Sequence, residues 1–201
     1  MNATPLVYIV DDDKAVRDSL SMLLRSVGLN SQAFASAPEF LARYDPDALS
    51  CLVADVRMPE VSGLDLQQEL VDRAIEIPIV FITGYGDVPM AVEAMKAGAI
   101  DFIQKPFRDQ ELLDCINTAL QGERERRSRE DEVIQIRKRL NTLTRRETEV
   151  LDKVVSGCAN KVIAMDLGVS QRTVELHRSR VMRKMGVRSL ADLVRVAEKG
   201  R

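Results

Sequence analysis

The chain has 201 residues, 45% hydrophobic and 30% charged, with a formal net charge of −2. This composition is globular rather than disordered, no stretch approaches the roughly 20 apolar residues of a membrane span, and the N-terminus lacks a basic-then-apolar export pattern. A cytoplasmic protein of one or two domains is expected, with Cys51, Cys115 and Cys158 as scattered, reduced thiols outside any CxxC spacing.

In the first 120 residues strand and helix patterns alternate. Apolar, β-branched runs at 6–10, 51–54 and 78–82 predict strands, with a weaker strand at 30–34 and a short one at 101–104. Between them lie helical spacings: Val16, Leu20, Leu23 and Leu24; Phe40 and Leu41; Leu64, Leu66 and Leu70; Val92, Met95 and Lys96; Leu112, Leu113, Ile116 and Leu120. Five βα units in series predict an α/β fold, a doubly wound five-stranded parallel sheet with helices on both faces. Residues 109–140 read as one long helix, or as a helix hinged near Gly122. Val133, Ile136, Leu140 and Leu143 form a short stripe that fits packing against the C-terminal region better than a dimer seam. From Thr144 the pattern is all α: four short helices, opened by the capping box Thr144–Glu147, with a tight turn at Gly168 between the second and third. Asn160 reads as the cap of the second helix. This is helix-turn-helix spacing. The expected domains are 1–122, a linker helix at 123–140, and 141–201.

Charge follows the same division. Residues 1–122 hold 9 Lys/Arg against 19 Asp/Glu, residues 123–140 hold 7 against 5, and residues 141–201 hold 13 against 7. An acidic first half disfavours polyanions, whereas a small basic domain favours them.

The chemistry gathers where strands end. Asp11, Asp12, Asp55, Thr83 and Lys105 all fall at C-terminal strand ends, where such sheets bind ligands. Any one acid there is ordinary loop polarity, but five residues of the right types at these ends form a set. Converging carboxylates repel unless a cation joins them. A magnesium ion (or another divalent cation) fits, held by Asp12, Asp55 and the Arg57 backbone carbonyl, with Asp11 holding a bound water. Asp55 can then attack phosphorus, since a carboxylate needs no base. Lys105 and the Thr83 hydroxyl contact phosphate oxygens, and the Val56 and Gly84 amides complete the cradle.

These residues resemble the CheY-like receiver domain of bacterial two-component systems through Val10-Asp11-Asp12-Asp13, Asp55-Val56-Arg57-Met58-Pro59, Ile82-Thr83-Gly84, Lys96-Ala97-Gly98-Ala99 and Lys105-Pro106-Phe107. The resemblance implies that Asp55 is the phosphoacceptor, that Asp11, Asp12 and Asp55 serve the metal, and that Thr83 and Phe102 are the switch pair. The segment Thr83–Met95 is similar to the FixJ branch, which implies a dimer face carrying Val92, Lys96 and Asp101.

The third C-terminal helix begins Gln171-Arg172-Thr173-Val174-Glu175-Leu176-His177-Arg178-Ser179-Arg180. Val174, Val181 and Met185 face inward at helical spacing. Arg172, Arg178, Arg180 and Lys184 are candidate phosphate contacts, with Lys161 anchoring from the preceding helix, and Glu175, Leu176 and Ser179 can reach base edges. His177, the only histidine, lacks metal partners and reads as a phosphate or surface residue. Residues 141–199 resemble the LuxR-type DNA-binding domain through Leu143–Leu151, Asn160–Ala164 and Ser170–His177, with Thr173 in the matched segment; Glu175 departs from relatives with Lys there. Together the resemblances imply a response regulator phosphorylated by a histidine kinase, a homodimer on promoter DNA acting with RNA polymerase. A phosphoaspartyl hydrolase of the haloacid dehalogenase type is disfavoured, because its second acid falls on Arg57. A phosphorelay protein with a protein output is disfavoured by the basic C-terminal domain.

Overall fold

The computed structural model describes residues 4–84 and 88–200. Tyr85, Gly86 and Asp87 of the FixJ-like segment lie outside the described residues, as do Met1 to Ala3 and Arg201. The chain divides into two compact units, Met1–Arg126 and Arg127–Arg201.

The first unit alternates β1 (Leu6–Val10), α1 (Lys14–Ser26), β2 (Asn30–Phe34), α2 (Ala37–Arg43), β3 (Ser50–Asp55), α3 (Gly63–Asp72), β4 (Ile79–Thr83), α4 (Val88–Lys96), β5 (Asp101–Gln104) and α5 (Asp109–Leu140). All pairings are parallel, in the order β2-β1-β3-β4-β5. Because side chains alternate along a strand, each central strand feeds two cores. Val7, Ile9, Cys51, Val53, Val80 and Ile82 face Leu20, Leu24, Leu112 and Ile116. Tyr8, Val10, Leu52, Ala54 and Phe81 face Phe34, Phe40, Leu66 and Leu70. Burial on both faces is why β1, β3 and β4 read as unbroken apolar runs. Fully burying each such large side chain contributes about 1.5–3 kcal/mol.

The loops are fixed by short-range polar bonds. Asp13 caps α1 by accepting from the Ala15 N–H, and Ser62 and Asp65 form a reciprocal capping box on α3. Gly63 has a distinct role. A Cβ there would collide with the Asp55 carbonyl oxygen and crowd the Phe81 ring, so α3 can start this close to the end of β3 only with glycine.

Helix α5 runs unbroken through Gly122. Its first half supplies Leu112, Leu113, Ile116, Ala119 and Leu120 to the first unit. Near its boundary, Arg126 holds the buried Glu123 through two nitrogens, at 2.8 and 2.9 Å, and Glu76 at 2.8 Å.

The second unit contains the end of α5, then α6 (Arg145–Val155), α7 (Asn160–Leu167), α8 (Gln171–Met185) and α9 (Leu190–Lys199). Ile136 is buried with Val150, Leu151, Ile163, Val174, Val181, Met185 and Leu193, and Leu140 and Leu143 pack against this cluster. Three of the four residues of the linker's apolar stripe, Ile136, Leu140 and Leu143, are therefore consumed inside the second unit. Gly168 ends α7 at φ 65°, a left-handed turn open to glycine without cost, and so permits the abrupt entry into α8. Among the described residues no helix is long and apolar enough to cross a membrane.

Candidate functional site

Asp11, Asp55 and Thr83 are carried to one edge of the sheet because β1, β3 and β4 end in register there. All three are buried. The Lys105 ammonium lies 2.9 Å from Asp11 Oδ2 and 2.9 Å from Asp55 Oδ1. The other oxygens are also bonded: the Asp13 N–H donates to Asp11 Oδ1 at 2.8 Å, and the Arg57 N–H donates to Asp55 Oδ2 at 2.7 Å. Lys105 is aimed by its own backbone N–H, which donates to the Thr83 carbonyl at 2.7 Å. Burial pushes the Asp11 carboxyl above its ordinary range, against the hydrogen bond from Lys105. Burial pulls on Lys105 in the opposite sense, but the hydrogen bonds to Asp55 and Asp11 outweigh it and raise the ammonium. Both directions describe one pocket, in which charge is desolvated and a single cation serves two acids.

The remaining sequence-predicted residues surround this pair. Asp12 is exposed beside Asp11, and Arg57 is exposed beyond Asp55. Phe102 is half-buried, its ring tilted against Phe81 at a centroid distance of 6.4 Å. Val92, Lys96 and Asp101 are exposed, and Val88, Met95 and Ile100 extend the same face as an apolar surface. Asp101 is already engaged: it accepts from the Phe102 N–H at 2.8 Å and from the Cys115 thiol at 3.0 Å. The Val56 amide is not available to a phosphate, because it donates to the Ile82 carbonyl at 3.3 Å in the β3–β4 ladder. Sequence reasoning missed Arg17, whose guanidinium donates to the Asp11 and Asp12 carbonyls at 2.7 and 2.9 Å and fixes the acidic loop. Its position one turn into α1 was the available signal.

No three His, Cys, Asp or Glu side chains among the described residues converge as a ready-made metal group. The donor chemistry nevertheless fits a hard dication: carboxylate oxygens stand at one sheet edge, and the most buried carboxyl is held above its ordinary range by desolvation that added positive charge would relieve.

In the second unit, Ser170 caps α8 by accepting from the Thr173 N–H. Arg172, Glu175, Leu176, Ser179 and Arg180 are exposed on α8, Thr173 is half-buried at its start, and Lys161 is exposed on α7. A shallow depression is lined by Ser170, Arg172, Thr173, Glu175 and Leu176.

Residues 7–117 match the response regulator receiver domain, and residues 141–197 match the bacterial regulatory proteins of the luxR family. The chain is 51% identical over 193 residues to Nodulation protein W of Bradyrhizobium diazoefficiens, covering 96% of this chain and 85% of that protein. It is 49% identical over 195 residues to the transcriptional regulatory protein FixJ of Rhizobium meliloti, covering 96% of this chain and 95% of that protein. Among solved structures it is similar to the response regulator StyR, with a TM-score of 0.89 at 48% identity, covering 98% of this chain and 100% of that one. The chain belongs to the two-component response regulators with a LuxR-type DNA-binding domain. It is a transcription regulator rather than a hydrolase, its receiver domain implies a histidine kinase partner, and its LuxR-type domain implies DNA binding.

Four residues of the response regulator's DNA-binding half stand in settings that the sequence did not signal. Asn160 does not cap α7; Ala159 occupies the cap position, and the Asn160 side-chain oxygen accepts from the Arg178 guanidinium. Arg178 is accordingly half-buried, with one guanidinium nitrogen bonded from α8 to α7. Lys184 is likewise engaged, donating to Glu147 Oε2 at 2.6 Å and to the Thr142 carbonyl at 2.8 Å. His177 is half-buried with an Nδ1 that has no hydrogen-bond partner, so it is no simple surface residue.

Proposed function

We propose that a histidine kinase phosphorylates this regulator on Asp55. A carboxylate oxygen of Asp55 forms the new bond to phosphorus as the phosphorus–nitrogen bond to the donor histidine breaks, giving an acyl phosphate. The observation that carries this reading is the Lys105 bridge between Asp11 and Asp55. It places a cation where a phosphoryl oxygen would arrive, beside the one carboxylate that ends β3. Magnesium would be held by Asp11, Asp12, Asp55 and the Arg57 carbonyl, and supplies charge neutralisation for the incoming group. The Thr83 hydroxyl takes a phosphoryl oxygen, and Phe102 follows its movement. The result biases a two-state receiver towards a form that pairs through Val92, Lys96 and Asp101.

Two copies then place two α8 helices on adjacent half-sites of promoter DNA, where the complex engages RNA polymerase in the cytoplasm. In functional terms the chain reads as a receiver at 1–122, a linker helix at 123–140 and a DNA-binding domain at 141–201. Acetyl phosphate with magnesium is expected to add one phosphate to the wild type and none to Asp55→Asn, measured by intact mass. Equal labelling of the two would reject Asp55 as acceptor.

A further inference from the structure

Glu175 is an anion on the surface proposed to face DNA. It is exposed, about one turn from the start of α8, and lines the depression shared with Arg172, Thr173 and Leu176. Arg172 and Arg178 stand three residues before and after it, at ion-pair spacing on a helix. Neither takes it: Glu175 has no ion pair or side-chain hydrogen bond among the described residues, while the Arg178 guanidinium is committed to Asn160. An unneutralised carboxylate among phosphates lowers affinity for every DNA sequence. It gains a partner only where the DNA offers a hydrogen-bond donor, and in the major groove the exocyclic amines of cytosine and adenine are the only donors. Guanine O6 and N7 and thymine O4 present acceptors, which repel a carboxylate. Ser179, one turn further along, and Leu176, half exposed, complete a surface of short polar and apolar groups around the anion.

We propose that Glu175 is the residue that sets base preference, accepting a hydrogen bond from the amine of a cytosine or adenine at one position of each half-site. The inference rests on the DNA-binding reading above and specifies its selectivity. Discrimination arises as much from rejection of guanine and thymine as from attraction, and low affinity for random DNA follows from the same charge.

The test uses the full chain treated with acetyl phosphate and selection from a random duplex pool. The wild type is expected to fix cytosine or adenine at one position per half-site, which distinguishes the two amines. Glu175→Ala should lose preference at that position alone, by about tenfold to a hundredfold, and bind random DNA more tightly. A probe carrying 2-pyrimidinone for that cytosine, or purine for that adenine, removes only the amine. It should weaken the wild type and leave Glu175→Ala unchanged. Identical motifs for the two proteins overturn the inference while leaving the DNA-binding reading intact. A loss spread over all positions with a lowered melting temperature overturns it too, by making Glu175 structural. A wild type that selects no motif overturns both.

Discussion

Lys105 and Glu147 show how single residues convert burial into function or stability. The Lys105 ammonium sits 2.9 Å from each of two buried carboxylates and offsets their mutual repulsion. It thereby keeps the proposed phosphoacceptor and its neighbour together at a cost that a removed partner would expose, since breaking such a pair leaves an unpaired buried charge. Glu147 performs the structural counterpart in the second unit. Its carboxyl is held at about 2, well below the ordinary 4.5, by the Lys184 ammonium and then by the Thr144 N–H of the capping box. Because the folded value lies below the unfolded one, the contribution is fully present above about pH 4.5 and is lost as pH falls towards about 2. Glu147→Gln is therefore expected to melt below the wild type at neutral pH. The gap should close as acid is added through that window, as followed by far-UV circular dichroism. A gap that is independent of pH would mean that packing, not charge, makes the difference.

At the scale of elements, the close approach of α3 to the end of β3 sets the pocket. Gly63→Ala forces a methyl group onto the Asp55 carbonyl and the Phe81 ring. It should cost about 1–3 kcal/mol as overpacking does, and slow labelling of Asp55 because the strand end must move. Gly122→Ala is the control: nothing lies within 4 Å of a Cβ there, and the site is inside α5, so a gain of up to about 1 kcal/mol is expected from helix propensity. Urea denaturation of the two variants compares the effects, and equal behaviour would remove the steric argument. The same contrast explains what was legible in the sequence. Strands β1, β3 and β4 were readable because burial on both faces leaves an unbroken apolar run, and the acids after them were readable by position. The roles of Asn160, Arg178 and Lys184 were not, because their partners lie 18 to 42 residues away in sequence. A basic side chain at helical spacing looks the same whether it meets a phosphate or a carbonyl. Gly63 was visible as a loop glycine, but its necessity depends on a strand and a helix meeting.

For the whole molecule, the decisive quantity is how many cations each copy brings to DNA. With Arg178 and Lys184 engaged internally, α8 retains Arg172, Arg180 and Arg183 as exposed cations, and α7 adds Lys161. So few cations on these two helices favour weak binding by one copy, and the net acidity of the first 122 residues disfavours a polyanion. Linking two copies turns the second contact into an intramolecular one and multiplies affinity without any new interaction. The logarithm of affinity should then fall with the logarithm of salt concentration about twice as steeply for two copies as for one, because each neutralised phosphate contributes a slope of roughly 0.9. On duplex DNA with two half-sites, acetyl phosphate is expected to raise wild-type affinity at least about tenfold, in line with linked binding, and to steepen the salt slope about twofold. Asp55→Asn should show the shallow slope with or without acetyl phosphate. Fluorescence anisotropy titrations across a salt series measure both quantities. An affinity gain without a steeper slope would place the effect of phosphorylation within a single copy and exclude pairing as its route to DNA.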